Sequence, residues 1–417
     1  MYGSGDNMNL FEELKWRGLI HNITDEKVID KLNNGELTFY LGTDPTGDSL
    51  HVGHLLVFIF AKRLEAHGHK PIFLIGGATG SIGDPKPNAE RKLLTREQID
   101  HNAKCLHEQV ERLFECKLVN NYDWTYNIDI LTFLRKYGKF FNVNYMINKD
   151  TVKSRLDSGI SYTEFSYQIL QALDFEHLFA SENCTLQIGG QDQWGNITSG
   201  LELIRKIHGA EAEAFGVTVP LFTKSDGTKF GKTEGGAIWL DPIKTTPYAF
   251  YQFWINTPDS DVMRELKQFT FLPKEEIEAL EESFNKEPHL RTAQKALARE
   301  MTTMIHGAEA YEQAVKLSSA LFSGKISELS KEEIEMVFEG LPKVQKEEEI
   351  SLIDVLVELK AASSKREARD FINGGGVSVN GIQVKDLEYV VKKENAIGNT
   401  YTVIRRGKKN YYLLEHK

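Results

Sequence analysis

The chain has few cysteines, few prolines and no long apolar run. Its three cysteines, at 105, 116 and 184, form no CxxC pair and no metal-ligand spacing. A low, odd count argues against a disulfide framework and for reduced thiols, so a cytoplasmic setting is expected. No apolar stretch reaches the roughly eighteen residues of a membrane span, and no secretory pattern is visible. The charge is not that of a uniformly basic polyanion binder either: the net is −10. Residues 351–417 carry 12 Lys and Arg against 8 Asp and Glu, a net of +4, which leaves −14 on the rest. A basic tail on an acidic body points to a separate module with a polyanionic partner.

What is present is a globular composition. Of the 417 residues, 41% are hydrophobic and 26% charged, enough for two or three domains with real cores. Residues 1–7 read as a leader ahead of Met8 and are set aside.

The stretch around which the chain is organised runs from Tyr40 to His54, Tyr-Leu-Gly-Thr-Asp-Pro-Thr-Gly-Asp-Ser-Leu-His-Val-Gly-His. Ahead of it, residues 35–41 form a turn entering an aromatic strand. Behind it, Leu55, Leu56, Val57, Ile59, Phe60 and Leu64 follow helical spacing up to Gly68. This is a strand–loop–helix corner. His51 and His54 stand at i and i+3 on one side of the helix start, where free N–H groups suit a phosphate. Alone, His-Val-Gly-His more often marks surface histidines at a helix cap. No Glu follows the first His as in HExxH, so a zinc site is not indicated. A second element lies far downstream: Lys229-Phe230-Gly231-Lys232-Thr233, a basic loop flanked by Gly227.

From 35 to about 222, strand-like and helix-like segments alternate. Residues 70–75, 185–188 and 217–222 read as buried strands, with a helix over 193–207. That is the pattern of a parallel α/β sheet, in which ligands bind beyond the carboxyl ends of the strands. Residues 248–323 show helical spacing only. Ser330 and Glu333 fit a capping box, and 343–350 reads as a linker. Beyond it, residues 352–359 and 363–373 read as helices, and 377–384 as a hairpin with Asn380-Gly381 in a type I′ turn.

In its sequence the chain resembles the bacterial-type tyrosyl-tRNA synthetases, of the class I aminoacyl-tRNA synthetases. The likeness runs from about Leu10 to the end. It rests on 40–54, Gly76-Gly77-Ala78-Thr79-Gly80, Ile82-Gly83-Asp84-Pro85 and Asn121-Tyr122-Asp123-Trp124. It continues through 143–146, 159–167, Asp192-Gln193-Trp194-Gly195-Asn196, 229–233, 250–254 and 404–409. The resemblance implies an α/β fold with a Rossmann-like parallel-sheet catalytic domain (1–222). A catalytic loop and linker (223–247), an all-helical anticodon-binding domain (248–323), a linker (324–350) and a small α+β S4-type RNA-binding domain (351–417) would follow. It further implies tRNA(Tyr), L-tyrosine and ATP as partners, Mg²⁺ arriving with ATP, no tightly bound cofactor, no protein-held metal, no membrane and a homodimer.

The resemblance also distributes roles. Thr46, His51, His54, Lys229, Lys232, Thr233 and Arg91 would be catalytic, the lysines and Thr233 closing over pyrophosphate. Gly42, Asp44, Gly53, Asp192 and Leu221, with His51, His54 and Lys232, would hold ATP. Tyrosine would be held by Asp84, Tyr167 and Gln171 at its ammonium, by Tyr40 and Asp174 at its phenol, and by Asn121 and Gln193. Lys365, Arg366, Arg369, Arg405, Arg406, Lys408 and Lys409 would meet RNA. Two departures stand out: the loop 86–91 is about one residue short, so Lys86 has no assigned role, and Gln191 stands where a small residue is usual.

The residue types suit this chemistry. A carboxylate is already ionised at pH 7, so joining it to the α-phosphate of ATP needs no general base or protein nucleophile. The site must position two anions and neutralise charge growing on pyrophosphate. Three other readings are weaker. A small HxGH nucleotidyltransferase has no need of the helical segment or the basic end. A tryptophan-specific relative has no need of Tyr40 and Asp174. A non-catalytic RNA binder has no need of His51 or Lys232.

Overall fold

Six runs rich in β-branched and aromatic residues build the main sheet: β1 (Asn22–Ile23), β2 (Thr38–Thr43), β3 (Lys70–Ile75), β4 (Lys117–Asn120), β5 (Cys184–Gly190) and β6 (Phe215–Val219). Their order is β1-β6-β5-β2-β3-β4. All neighbours are parallel except β1, which pairs antiparallel with β6. The computed structural model describes residues 8–86, 89–227, 230–233, 236–408 and 410–417, with Lys232 and Thr233 in backbone only. By density of contacts the chain forms two units, Met1–Thr245 with Trp254–Met301, and Thr246–Phe253 with Thr302–Lys417.

The chain runs from β2 outward to β4 and then returns to the other side of β2 for β5 and β6. The order therefore switches between β2 and β5, where such sheets leave a crevice beyond their carboxyl ends. β6 is buried along its whole length, as a central parallel strand demands. It begins two residues before the expected strand and stops at Val219, because Pro220 has no N–H for the ladder. β5 outruns its expected end at Ile188 and carries Gly189 and Gly190 to the crevice.

Helix α1 spans Leu10–Trp16 and α2 spans Leu55–Ala66. Eight of the 12 residues of α2 are buried, so it is a core helix rather than an amphipathic one. Helix α3 spans Arg96–Leu113. Helix α4, Tyr162–Glu182, starts at the Ser161 cap and ends on Asn183 in the left-handed region. Helix α5 spans Trp194–His208. Leu173 and Phe175 on α4 are core. After the α/β region the elements from Pro247 to Ser323 are helical throughout the described residues. They include α6 (Val262–Phe269) and α7 (Ala308–Ser323).

In the second unit a five-stranded sheet has the order β12-β11-β14-β15-β9. Its members are β9 (Lys343–Lys346), β11 (Val377–Val379), β12 (Ile382–Gln383), β14 (Tyr401–Arg406) and β15 (Asn410–His416). A separate pair joins β10 (Ile350–Ser351) to β13 (Val390–Val391). Leu352, Leu356, Ile372, Val377, Ile404 and Leu414 belong to one apolar core between this sheet and the helices Leu352–Glu358 and α8 (Lys365–Asn373). Asn380 (φ 48°) and Gly381 (φ 86°) are both left-handed, the I′ geometry the Asn-Gly pair requires. The Ser330–Glu333 capping box forms. One expectation is corrected: 343–346, read as linker, is an edge strand parallel to β15. No described helix is long and apolar enough to cross a membrane.

Candidate active site

The corner after β2 is closed by its own histidines. The His51 amide donates to His54 Nδ1 at 3.1 Å, and His51 Nδ1 accepts from the Gly53 amide at 3.0 Å, a capping box made of two imidazoles. Acceptance at Nδ1 leaves the proton on Nε2, so both rings present an N–H donor. The ring centroids are 4.0 Å apart. Burial, then the neighbouring His51, holds the His54 imidazole down at about 3, so it stays neutral at physiological pH. A Cβ on Gly53 would sit 2.7 Å from His51 Cε1, so a side chain there would push the His51 ring aside. From α3, Gln109 accepts the Leu50 amide at 2.8 Å and fixes the approach to His51.

The two signature stretches are stitched together through backbone. Val52 N–H donates to Ile238 O and Leu240 N–H to Leu50 O, each at 2.9 Å, so 238–240 runs along 50–52 as a short antiparallel pair. Ile238 N–H in turn donates to Gly231 O at 2.9 Å. Gly231 has φ +76°, and a Cβ there would come within 2.5 Å of Val52 Cγ2. Lys229 and the side chains of Lys232 and Thr233 lie outside the described residues. The Lys232–Thr233 backbone forms a two-residue strand, β7, paired with β8 (Gly236–Ala237).

A cavity of about 640 Å³ opens at the switch point. Of the expected residues, Thr46, His51, Gly53, His54, Gly42, Asp44, Asp192, Leu221 and Arg91 line it, together with Tyr40, Asp84, Tyr167, Gln171, Asp174 and Gln193. One part of this lining is acidic and half-buried. Asp44 accepts from Thr79 Oγ1 at 2.6 Å and from Tyr167 Oη at 2.9 Å, yet burial raises its carboxyl above the ordinary value. Asp84 accepts from Gln193 Nε2 at 3.1 Å and Asn196 Nδ2 at 3.3 Å. Burial, with Asp44 and Asp192 nearby, pushes it up to about 6. Carboxylates that raise one another's affinity for protons make a receptacle for a cation such as an ammonium.

Deeper, Asp174 accepts from Asn121 Nδ2 at 3.0 Å and Trp124 Nε1 at 3.1 Å, but burial outweighs both donors and pushes it up to about 8. Tyr40 is 1% exposed and meets Phe175 edge-on at 5.4 Å. Its hydroxyl has no hydrogen-bond partner among the described residues. A buried hydroxyl left unpaired is costly, so a ligand that pairs it gains accordingly. Burial first, then Asp174, raises the Tyr40 phenol well above its ordinary value.

The other part of the lining is open. Gly42, Thr46, Gly53 and Asp192 are exposed, and Leu221 is 56% exposed. Asn121 stands apart from its expected role at the cavity. It is fully buried, accepts the Ala78 amide at 2.7 Å and donates to Thr79 and Asp174, so it orients Asp174 from behind. Lys86 and Gln191 are exposed and outside the lining.

Several contributors escaped the sequence reading. Thr79, Trp124 and Asn196 complete the carboxylate shells. Arg155, 3% exposed, pairs with Glu164 at 2.8 Å and also holds the carbonyls of Lys86 and Ala89. Glu164 in turn accepts the Arg91 amide at 2.8 Å, while Arg91 Nε donates to Asp84 O at 2.7 Å. Thr79, Trp124, Glu164 and Asn196 lie within stretches that carry the resemblance, though no role was expected of them; Arg155 carried no signal.

In the second unit the basic residues divide. Lys365, Arg366 and Arg369 are exposed on α8, with Lys365 paired to Asp354 at 2.7 Å. Arg405 donates to Ser378 Oγ at 3.3 Å. Arg406 donates to Ala361 O and covers the Phe371 ring at 5.2 Å. Neighbours in a strand face opposite ways, so these two arginines do not share a surface. Lys408 is exposed, and Lys409 lies outside the described residues.

Comparison with known proteins bears on the whole chain. The family described as tRNA synthetases class I (W and Y) matches residues 32–323, and the tyrosine–tRNA ligase SYY-like C-terminal domain matches 333–414. A tyrosine–tRNA ligase from Listeria welshimeri is 53% identical over 98% of this chain and 100% of its own length. One from Staphylococcus saprophyticus is 52% identical over 98% and 99%. The crystal structure of a C-terminally truncated mitochondrial tyrosyl-tRNA synthetase from Aspergillus nidulans superposes with a TM-score of 0.68 at 32% identity, covering 76% of this chain and 95% of that one.

Proposed function

The chain belongs to the tyrosine–tRNA ligases of the class I tRNA synthetases, and we propose that it activates L-tyrosine with ATP and then transfers tyrosine to the 3′ end of tRNA(Tyr). In the first step a tyrosine carboxylate oxygen attacks the α-phosphorus. A new O–P bond forms, the bond to the β-phosphate oxygen breaks, and pyrophosphate leaves with the electron pair. No proton is moved by the protein. Asp84, Tyr167 and Gln171, with Asp44 close by, hold the ammonium. Tyr40 and Asp174 take the phenol, with Asn121 and Gln193 keeping the carboxylates aimed.

ATP enters as its Mg²⁺ complex. Gly42, Gly53, Asp192 and Leu221 receive ribose and adenine. Thr46 and the Nε2–H groups of His51 and His54 donate to the phosphates, and Lys229, Lys232 and Thr233 neutralise the departing pyrophosphate. Arg91 braces the loop behind Asp84. The observation that carries this reading is the unpartnered Tyr40 hydroxyl in the same cavity that His51 and His54 line. An ATP–pyrophosphate exchange assay over the twenty amino acids tests it. Exchange with tyrosine alone supports it; equal or better exchange with tryptophan, or none with tyrosine, contradicts it.

The helical segment and the basic residues of 351–417 are read as the tRNA-binding parts. Arg366→Glu with Arg369→Glu should weaken tRNA charging and flatten its salt dependence, while leaving exchange unchanged. A homodimer is part of the reading. Ile130 (73% exposed), Leu131 (67%) and Tyr162 (66%) are large apolar side chains left open, of the kind that a second copy would cover. Sedimentation showing a monomer at micromolar concentration would remove that element. A cytoplasmic location goes with the translation role of the relatives.

A further inference from the structure

A residue between the two lysines of the basic loop is buried, although the lysines themselves are proposed to act on pyrophosphate. Phe230 is 8% exposed. It meets Phe222 edge-on at 4.5 Å, stacks on Phe269 at 5.2 Å and approaches Trp254 at 5.8 Å. Phe222 and Trp254 each contact Phe269 at 5.3 Å, so the three rings make an aromatic socket centred on Phe269.

The leg leading into this loop is tethered to the same helix. Asp261, 1% exposed, accepts the Ser225 amide at 3.2 Å, and Arg264 donates to Thr223 O at 2.7 Å while covering Phe222 at 4.4 Å. The far end of α6 is tied to the histidine helix. Arg63 of α2 and Arg17, the residue that follows α1, both donate to Thr270 O, at 2.6 and 3.2 Å, directly after Phe269. Glu13 pairs with both arginines, at 2.8 and 2.9 Å. One residue beyond Phe230, Gly231 lies against Val52 and Gly53. The helix that begins at the two histidines thus also steadies the platform on which Phe230 sits.

From this geometry we infer that Phe230 is a positioning residue for adenylate formation: its seat among Phe222, Trp254 and Phe269 fixes the Lys232 backbone relative to His51 and His54. The inference rests on the proposed ligase reading and deepens it. Phe230 itself touches no reacting atom; it acts through Lys232. Small displacements of a catalytic group cost rate rather than ground-state binding.

The test uses the full chain, tyrosine and Mg·ATP in single-turnover adenylate formation, with tyrosine Kd measured separately. Phe230→Ala should slow the step by about 10- to 100-fold and leave tyrosine Kd within about twofold. Phe230→Leu should recover most of the rate. In the double variant with Lys232→Ala, the rate should equal that of Lys232→Ala alone, because both changes remove one effect. An unchanged rate in Phe230→Ala, a parallel loss of tyrosine binding, or multiplying effects in the double variant would each overturn the inference. Wild-type chain that forms no adenylate with tyrosine would instead indict the ligase reading.

Discussion

The two ends of the cavity are built on opposite plans. At the proposed amino-acid end each carboxylate is already held, Asp174 buried and the other two half-buried: Asp44 by Thr79 and Tyr167, Asp84 by Gln193 and Asn196, Asp174 by Asn121 and Trp124. At the proposed nucleotide end Gly42, Thr46, Gly53, Asp192 and Leu221 are exposed, His51 and His54 are half-buried, and the backbone of Gly231 is joined to the corner through Ile238. In the proposed reading the first end is a template whose donors are already in place before the ligand arrives. In the same reading the second answers charge that appears only as pyrophosphate leaves. Selectivity and rate should therefore separate by location, and each variant below tests that division.

The largest effect is expected on selectivity. An apolar pocket separates tyrosine from phenylalanine poorly, whereas one that pairs the hydroxyl rejects phenylalanine by about 10⁵, a magnitude measured on a tyrosyl-tRNA synthetase and not deduced from this structure. Asp174→Ala should cut that ratio to about 10² or less, read as kcat/KM for the two amino acids. A ratio that survives would put the phenol partner elsewhere. Next comes rate: Lys232→Ala should slow activation by roughly 10²-fold or more, since it acts on charge that develops late.

A smaller effect is expected from pH. The Asp84 carboxyl is raised to about 6 and must be ionised to hold an ammonium. Tyrosine affinity should fall by about tenfold from pH 7 to pH 5, and Asp84→Asn, weaker throughout, should lose that dependence. Stability of the empty chain runs the opposite way. A raised carboxyl contributes stability that is present below the unfolded value and lost as pH rises through about 6. The smallest effect should be that of Tyr40→Phe, about 0.5–1.5 kcal/mol in tyrosine binding for one neutral hydrogen bond. Titration calorimetry at pH 7 reads it.

The same contrast explains what the sequence made legible. The β2 corner, α2 and the Asn-Gly hairpin were readable because local chemistry decides them: apolar spacing, a histidine cap, two left-handed positions. Tyr167, Gln171 and Asp174 shared a helix face for the same reason. Strand β9 was missed because a four-residue edge strand, Lys-Val-Gln-Lys, has no apolar run and is held by a partner some 70 residues later in the chain. Arg155 was missed because its worth lies in the carbonyls of a distant loop. The open Tyr40 hydroxyl and the orienting place of Asn121 follow from packing against α4, which no spacing rule encodes.

The division of labour itself is tested most directly by stopped-flow measurement of tyrosine Kd and of the rate constant for adenylate formation at saturating Mg·ATP, in wild type, Tyr40→Phe and Lys232→Ala. The expected result is crossed: Tyr40→Phe weakens Kd by a few-fold and spares the rate constant, while Lys232→Ala lowers the rate constant by roughly 10² and spares Kd. If Lys232→Ala weakens tyrosine binding as much as it slows the step, or if Tyr40→Phe slows the step without touching Kd, the two ends do not divide the work and the account is wrong.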